Sequence, residues 1–402
     1  MTAVDVVVTG LGVIAPNGIG VRDYWDATLS GRSGLGVITR FDSTDYPARV
    51  GGEVLGFDAV EHLPKRLLPQ TDRMTQYALA VTDWAIRDAG VDLADFGEFG
   101  AGVVTASGSG GFEFGQRELQ KLWGSGPELV SAYQSFAWFY AVNTGQISIR
   151  NGLRGHSSVV VAEQAGGIDA TAQAARLVRN GTLELAVAGG FEASLCPWGL
   201  VAQIPSGLLS TVADPARAYL PFDSDASGWV VGEGGAIMIL EAADAARERG
   251  AHVYGRVAGH ASTFDPKPGS GRPDGLAKAI RGALARAQVE PGDVDVVFAD
   301  AAGVPDLDYA ETCALAEVFG VRGVPVTAPK TMTGRLSAGA AVDVATALLA
   351  MRDGVVPPAV GTRAPAELDL VLGRPRDLAV RTALVVARGY GGYNSALVLR
   401  NP

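Results

Sequence analysis

Residues 159–168 have the sequence Val159-Val160-Val161-Ala162-Glu163-Gln164-Ala165-Gly166-Gly167-Ile168, and this stretch decides the fold. Its β-branched start predicts a strand, and a helix is expected from Ile168 to Arg179. A strand that turns sharply into a buried helix exposes the residue at the turn and directs backbone N–H groups at whatever binds there. That residue is Gln164. The position suits a nucleophile, but a carboxamide cannot form a stable acyl-enzyme.

The same pattern extends along the chain. Short β-branched runs that end near glycine alternate with alanine-rich segments, which is typical of parallel strands joined by helices. The fold class is therefore α/β. Strands are predicted at residues 4–13, 102–106, 158–162, 185–188, 235–240, 294–299, 324–328 and 382–387, with a closing hairpin near Gly391-Gly392.

A second segment resembles the first. Pro325-Val326-Thr327-Ala328 leads through Thr333-Gly334-Arg335 into an apolar helix that ends at Asp353-Gly354. Two explanations stay open. The likeness is chance, because strand, turn and helix form the unit of any α/β protein, or the chain contains two similar halves. In the second case the halves occupy residues 1–243 and 251–402.

Composition excludes several classes of function. The 402 residues are 48% hydrophobic and 19% charged, with a formal charge of −10, which predicts a globular protein and disfavours binding to nucleic acid. Neither Cys196 nor Cys313 has a metal-ligand spacing, so no metal is expected. No export signal is evident, and the longest uncharged stretch, residues 193–213, contains prolines and glycines that predict loop and turn rather than a membrane span. A cytoplasmic location is expected.

A nucleophile at the Gln164 turn would need a nearby base, which is usually histidine. The histidines of the chain are His62, His156, His252 and His260. None of them stands at a comparable strand-to-helix turn. At the two later loops where a base is expected, the chain has Asp300-Ala301-Ala302-Gly303 and Lys330-Thr331-Met332-Thr333-Gly334-Arg335.

Several motifs resemble the ketosynthase branch of the thiolase superfamily. They are Val8-Thr9-Gly10-Leu11-Gly12-Val13, Pro16-Asn17-Gly18, Pro221-Phe222-Asp223, Gly228-Trp229-Val230-Val231-Gly232-Glu233-Gly234 and Gly389-Tyr390-Gly391-Gly392-Tyr393-Asn394-Ser395. The resemblance implies a thiolase-like fold in which duplicated βαβαβ halves form a five-layered α-β-α-β-α core. Active members place a cysteine at the position of Gln164 and histidines at those of Ala302 and Arg335. Lys330 is retained.

The joint replacement of these three groups resembles the chain length factors, the ketosynthase beta subunits of bacterial type II aromatic polyketide synthases. Residues 136–148, 162–167 and 329–335 agree closely with that family, and Ala226 replaces an arginine of the catalytic subunits. The resemblance implies a heterodimer with a catalytic ketosynthase alpha subunit, which builds a poly-β-ketone from malonyl units on an acyl carrier protein. Condensation belongs to the partner, and no cofactor is implied beyond the phosphopantetheine of the carrier.

A length-control function would depend on a tunnel wall. Phe112, Gly115 and Leu119 fall at i, i+3 and i+7, which on a helix form one stripe. A stripe alone is more typical of ordinary core, but the resemblance assigns these three positions to a chain-length gate. Phe136 and Trp198 are further candidates for the wall. The aromatic cluster at residues 136–140, which includes Trp138, is a candidate for a subunit interface or for core.

Three functions therefore stay open. The chain is a non-nucleophilic partner subunit of a condensing enzyme, a decarboxylase or hydrolase that stabilises an enolate with Gln164 and backbone N–H groups, or a purely structural scaffold. Decarboxylation of malonyl carrier protein by the isolated chain would separate the second function from the others. A change of product length on mutation would separate the first from the third.

Overall fold

The computed structural model describes residues 4–267, 270 and 275–402. The helices are α1 (Val21–Leu29), α2 (Ala59–His62), α3 (Arg73–Ala89), α4 (Phe112–Ser125), α5 (Gln134–Ala137), α6 (Val142–Asn151), α7 (Gly166–Arg179), α8 (Pro197–Gln203), α9 (Ala243–Glu248), α10 (Leu276–Ala287), α11 (Pro305–Phe319) and α12 (Ala340–Asp353). The strands are β1 (Val6–Ala15), β2 (Gly18–Ile19), β3 (Leu35–Val37), β4 (Val50–Gly52), β5 (Ala101–Ala106), β6 (Ser157–Val160), β7 (Leu185–Glu192), β8 (Val231–Gly232), β9 (Gly234–Ala242), β10 (Gly255–Phe264), β11 (Val296–Phe298), β12 (Pro325–Thr327), β13 (Val355–Val356), β14 (Asp369–Leu370), β15 (Arg376–Asp377), β16 (Thr382–Gly389) and β17 (Tyr393–Arg400).

The main sheet contains the same five-stranded pattern twice. The first half has the order β6-β5-β7-β9-β1, and the second has the order β12-β11-β16-β17-β10 with β14 added at its edge. In each half the first three strands run parallel and the last two pair antiparallel. The short antiparallel pairing of β1 with β10 joins the halves. The two segments that resemble each other in sequence therefore occupy equivalent places in the two halves of the sheet.

Helices cover both faces of each half. Helix α3 packs on β1 and β9 of the first half, and α10 packs on β10 and β17 of the second, with α11 against α10. Helices α7 and α12 pack against each other in the middle, where α7 contacts β7 and α12 contacts β16. The predicted five-layered α/β architecture is confirmed. Helix α12 is buried on all sides through Met351, as its nearly continuous apolar sequence indicates.

The two central helices meet at a glycine. A Cβ atom on Gly167, in the first turn of α7, would lie 2.2 Å from the main-chain nitrogen of Ala341 and 2.6 Å from the carbonyl oxygen of Ala338. Any larger residue would push α7 away from α12, because main-chain atoms in a close-packed interior cannot move far enough to relieve contacts this short. The small residues after Gln164 therefore fix how the turn sits against the second half of the chain.

Some sequence predictions need correction. Strand β10 was not predicted, because it alternates buried residues with half-exposed Arg256 and His260 instead of forming a continuous β-branched run. Residues 193–213 are not all loop and turn, since they contain helix α8. Strand β6 ends at Val160, two residues earlier than expected, and a single 3-10 turn follows at Glu163–Ala165. In the part of the chain that the structure describes, no helix has the length and hydropathy needed to cross a membrane.

Candidate functional site at the Gln164 turn

The turn between β6 and α7 is strained and buried. Glu163 has a φ of 51°, in the left-handed region that residues other than glycine rarely adopt. Its carbonyl oxygen accepts a hydrogen bond from the main-chain nitrogen of Ala338 at 2.9 Å, which ties the turn to the loop before α12. Strained backbone of this kind concentrates at functional sites. Gln164 follows directly and is 1% exposed, so the turn directs its side chain inward.

Both ends of the Gln164 amide are occupied. With the amide assigned in the orientation that satisfies both of its atoms, its nitrogen donates to the carbonyl oxygen of Leu336, and its oxygen lies 3.1 Å from the Nζ atom of Lys330. The same Nζ atom lies 2.8 Å from a carboxylate oxygen of Asp343, and both charged side chains are buried. Burial raises the pKa of Asp343, while the ammonium group of Lys330 opposes that rise. The amide is thus one member of a polar network that links the turn to α12.

Arg335 is also buried, and its guanidinium group is surrounded by acidic, main-chain and aromatic partners. One terminal nitrogen donates to a carboxylate oxygen of Asp300 at 2.8 Å. The other donates to the carbonyl oxygen of Arg388 and lies 3.8 Å from a carboxylate oxygen of Glu163. The guanidinium carbon lies 5.3 Å from the ring centre of Trp229. Burial alone would raise the pKa of Asp300, but the guanidinium lowers it below its ordinary value, so the pair is ionised.

Ala302 lies in the loop between β11 and α11, which acidic side chains of α11 hold in place. Glu311 accepts hydrogen bonds from the main-chain nitrogens of Asp300 and Ala301, each at 2.8 Å, and Asp308 accepts one from Gly303 at 3.0 Å. Burial raises the pKa of Glu311 to about 8 and that of Asp308 to about 7. Ala302 itself is buried and contributes only a methyl group. The loop is fixed, but its sequence supplies no base at this position.

The structure therefore brings Gln164, Lys330 and Arg335 into one connected site, with the Ala302 loop joined to it through Asp300. Sequence reasoning missed the two acidic partners. Asp343 had a signal, because it is the single acidic residue in the first turn of an otherwise apolar helix. Asp300 stood in the quoted loop, but nothing in its spacing showed that it faces Arg335 from 35 positions away.

A cavity of about 330 Å³ opens beside this site. Its lining includes Ser109, Glu163, Trp229, Ser337 and Tyr390. Gln164 does not line it, because the amide is turned towards Leu336 and Lys330. A molecule in the cavity would meet the side chain before Gln164 in the sequence rather than Gln164 itself.

The predicted stripe lies on α4, as the helical spacing requires. The ring of Phe112, the first residue of α4, stacks on the ring of Trp198 at 4.7 Å between centres. A Cβ atom on Gly115 would lie 2.8 Å from the Trp198 ring and 3.3 Å from the Cβ atom of Trp138. Leu119 is half-buried one turn further along. Two of the three stripe positions therefore face Trp198.

Phe136 lies elsewhere, since it packs against the hydrophobic core around α3. Trp138 is 41% exposed. Other exposed apolar side chains are Ile149 on α6, which contacts β6, Val161 directly after β6, and Trp123 near the end of α4. Strand β6 ends the order of the main sheet. An apolar surface beside a sheet edge is typical of an interaction site.

Comparison with known proteins shows which family this chain belongs to. The model of the beta-ketoacyl synthase N-terminal domain matches residues 3–246, and that of the C-terminal domain matches residues 254–363. The chain is 70% identical to the tetracenomycin polyketide synthase ketoacyl synthase beta subunit of Streptomyces glaucescens, over 98% of both chains.

Solved structures agree along the whole length. The ishigamide ketosynthase/chain length factor superposes with a TM-score of 0.90 at 29% identity, covering 100% of both chains. The AntDE:AntF complex, a type II PKS acyl-carrier protein with its ketosynthase bound to the hexaketide, gives a TM-score of 0.88 at 26% identity, again covering 100% of both chains. The chain belongs to the beta-ketoacyl synthase family, and within it resembles the ketosynthase beta subunits of polyketide synthases.

Proposed function

We propose that this chain is the non-nucleophilic beta subunit of a ketosynthase heterodimer and limits the length of the poly-β-ketone that its catalytic partner builds from malonyl-acyl carrier protein. The observation that carries the proposal is the state of the Gln164 site. The positions that hold a cysteine and two histidines in active members contain a buried amide, a methyl group and a guanidinium here, so no thiol and no imidazole is present at them.

The residues present do not support condensation by this chain alone. Claisen condensation on a ketosynthase needs a thiolate that accepts the acyl group and imidazoles that stabilise the developing charges. An amide replaces the thiol, a methyl group replaces one imidazole, and a guanidinium replaces the other. Arginine stays protonated throughout the physiological range, so Arg335 has no role as a base. Its pairing with Asp300 further stabilises the charged form.

The decarboxylase alternative finds less support. An enolate oxygen must meet donors that are free to turn towards it in the transition state. The amide nitrogen of Gln164 is already bonded to Leu336, and the ammonium group near its oxygen is paired with Asp343. Gln164 also does not line the neighbouring cavity. These contacts favour a structural anchor over an oxyanion-stabilising group.

The surface supports a partner. Ile149 and Val161 are exposed beside the edge strand β6, and permanent interfaces are more apolar than ordinary surface. The structures named above pair a ketosynthase with a chain length factor in one case and with an acyl-carrier protein in the other. For this chain we propose both partners: a catalytic alpha subunit across the apolar surface, and a carrier whose phosphopantetheine delivers the malonyl units without a resident cofactor.

The gate would lie on α4. Phe112 and Gly115 face Trp198, and in the proposed gate the volumes of these side chains set the space available to a growing chain. The same contact also fits ordinary core packing in a scaffold that only stabilises its partner. The product lengths of variants on α4 therefore separate length control from the purely structural alternative.

The test is reconstitution. The chain, a catalytic ketosynthase alpha subunit and their heterodimer are each supplied with malonyl-acyl carrier protein, and both carbon dioxide release and polyketide mass are followed. We expect polyketide only from the heterodimer, and no carbon dioxide release above background from this chain alone. Release by the isolated chain at the rate of the heterodimer would overturn the proposal in favour of an independent decarboxylase.

A further inference from the structure

We propose that Asp72 and Glu192 are positioning residues of the gate, because their carboxyl groups fix the loop and the first turn of α4 and thereby the place of Phe112 and Gly115. This inference rests on the proposed function, in which α4 carries the chain-length gate. Neither acid was singled out by the sequence, and neither belongs to the Gln164 site described above.

Glu192 holds the loop that precedes α4. It is the last residue of β7, and one of its carboxyl oxygens accepts hydrogen bonds from the main-chain nitrogens of Gly108 and Ser109 at 2.9 and 3.0 Å. Two successive N–H groups on one oxygen fix the direction in which the chain leaves β5. The other oxygen of Glu192 is buried and has no hydrogen-bond partner among the described residues.

Asp72 holds the start of α4 itself. One carboxyl oxygen accepts a hydrogen bond from the main-chain nitrogen of Met74 at 2.9 Å and so caps α3. The other accepts one from Phe114 at 2.8 Å, within the first turn of α4. A Cβ atom on Gly111 would lie 2.8 Å from the Cβ atom of Asp72, so the loop is pressed against this residue. One side chain thus joins the first turns of two helices.

These acids are poorly suited to a role in stability alone. Both are 1% exposed, and burial raises the pKa of Asp72 to about 6 and that of Glu192 to about 8. Asp72 and Glu163 raise the pKa of Glu192 further, while Glu113 raises that of Asp72 and Arg73 lowers it. A buried carboxyl group beside other acids costs free energy. Both carboxyl groups nevertheless contact the same segment, from Gly108 to Phe114, so we attribute their role to the position of that segment.

We attribute the position of the gate residues to the hydrogen-bond acceptors of Asp72 and Glu192 rather than to their charges. Gln in place of Glu192 keeps the single oxygen that accepts both hydrogen bonds and matches the neutral acid in shape. Asn in place of Asp72 keeps only one of the two oxygens that accept hydrogen bonds. Ala removes the acceptor, and Asp in place of Glu192 withdraws it by one methylene group. A matched control is Glu53, which is buried and accepts from the successive main-chain nitrogens of Thr39 and Arg40, each at 3.0 Å, in a different loop.

The experiment measures the distribution of polyketide chain lengths from the heterodimer with its catalytic ketosynthase. We expect Glu192→Ala, Glu192→Asp and Asp72→Ala to raise the ratio of off-length to native-length product about tenfold, since a shift of ~1 Å in a positioned group changes rates by up to ~100-fold. Glu192→Gln should keep the native distribution, whereas Asp72→Asn should change it, because an amide nitrogen cannot accept the hydrogen bond from Met74 or Phe114. Glu53→Ala should lower the stability of the fold without changing the distribution of chain lengths. Glu192→Asp keeps a buried acid, so it provides the same test if the alanine variants do not assemble with the catalytic subunit.

Three results would overturn the inference: a native distribution in every variant that assembles, an equal change in Glu192→Gln and Glu192→Ala, or an equal change in Glu53→Ala. A gate variant run in parallel, Gly115→Thr with Leu119→Phe, separates this inference from the proposed function. If the gate variant shortens the product while the Asp72 and Glu192 variants do not, only the inference fails. If the gate variant has no effect, the length-control function fails first.

Discussion

The guanidinium of Arg335 lies 2.8 Å from the carboxylate of Asp300, and both side chains are buried. This ion pair stands where the family resemblance places a catalytic imidazole, so a permanently charged pair has replaced a titrating group. Asp300 also accepts a hydrogen bond from the main-chain nitrogen of Arg388 at 2.8 Å, which connects the pair to the end of β16. A buried ion pair therefore occupies the space that the family resemblance assigns to an imidazole.

The first prediction concerns that pair. Arg335→Ala leaves the Asp300 carboxylate buried without its cation, and we expect a loss of about 3–5 kcal/mol in the free energy of unfolding. The control is Arg281→Ala, which breaks a half-exposed pair with Glu317 and should cost at most ~1 kcal/mol. Urea denaturation of the heterodimer at pH 7 measures both. Equal losses in the two variants would show that the buried pair carries no special stability.

The pH dependence of this pair has a definite sign. The pKa of Asp300 is lowered in the folded chain, so its contribution is present above its ordinary carboxyl pKa and is lost as the pH falls through the lower folded value. We therefore expect the difference in stability between the native chain and Asp300→Asn to be constant from pH 6 to 8 and to shrink in acid.

Glu192 should show the opposite behaviour. Its pKa is raised from 4.5 to about 8 in the folded chain, so the acid stabilises the fold at low pH and loses that contribution as the pH rises to about 8. Glu192→Gln mimics the neutral acid at every pH. Its stability relative to the native chain should increase between pH 5.5 and 8.5, by an amount on the order of a few kcal/mol.

Thermal denaturation of the heterodimer at those two pH values tests this prediction. Glu118→Gln is the control, because Lys121 and the main-chain nitrogen of Ser131 hydrogen-bond to Glu118 and lower its pKa. That variant should be destabilised equally at both pH values. A Glu192→Gln variant whose relative stability does not change with pH would mean that Glu192 is ionised in the fold.

A thiol alone should not create a condensing enzyme. Gln164→Cys places a nucleophile at the turn, but Ala302 and Arg335 leave no imidazole to stabilise the thiolate or the enolate. We expect no polyketide from the isolated variant with malonyl-acyl carrier protein, as measured by mass spectrometry. Product from this variant without a partner would show that the missing groups are supplied elsewhere in the chain.

The sequence predicted the turn at Gln164 and the helix that carries the stripe, because these depend on local pattern. The assignment of Gln164, Ala302 and Arg335 to replaced catalytic groups came from the family resemblance instead. The sequence could not show which distant groups meet. Arg335 and Asp300 are 35 positions apart, Gln164 reaches Lys330 across the two halves, and Glu192 holds a loop 83 positions earlier. Strand β10 was not predicted, because its burial comes from pairing with β1 and β17 rather than from its own composition. Local pattern determines elements, whereas the partners of buried charges depend on packing.

The isolated chain should associate with itself. Trp123 and Ile149 are 78% and 77% exposed, and Val161 beside the edge strand is half exposed. Apolar surface that a partner normally covers promotes aggregation, and a bound partner stabilises the fold by mass action. We expect light scattering to show aggregates for the chain alone and a discrete heterodimer after co-expression with the catalytic subunit. A stable monomer at micromolar concentration with no affinity for a ketosynthase would contradict this.

The last prediction concerns length control by α4. Glycine at position 115 lets the Trp198 ring pack directly against α4, and Leu119 is smaller than the phenylalanine that the family resemblance implies at this position in octaketide-forming relatives. We expect a native product of decaketide length or longer. In Gly115→Thr with Leu119→Phe, the new Cβ atom at position 115 would start 2.8 Å from the Trp198 ring, so the ring must move away from α4. If α4 and Trp198 form the gate, this movement narrows the path of the growing chain. Overpacking costs about 1–3 kcal/mol, which the folded heterodimer should tolerate. The product masses should fall, whereas Gln120→Thr on the exposed face of α4 should leave them unchanged. Unchanged product masses in an active double variant would show that the stripe is part of the ordinary core and not of a gate.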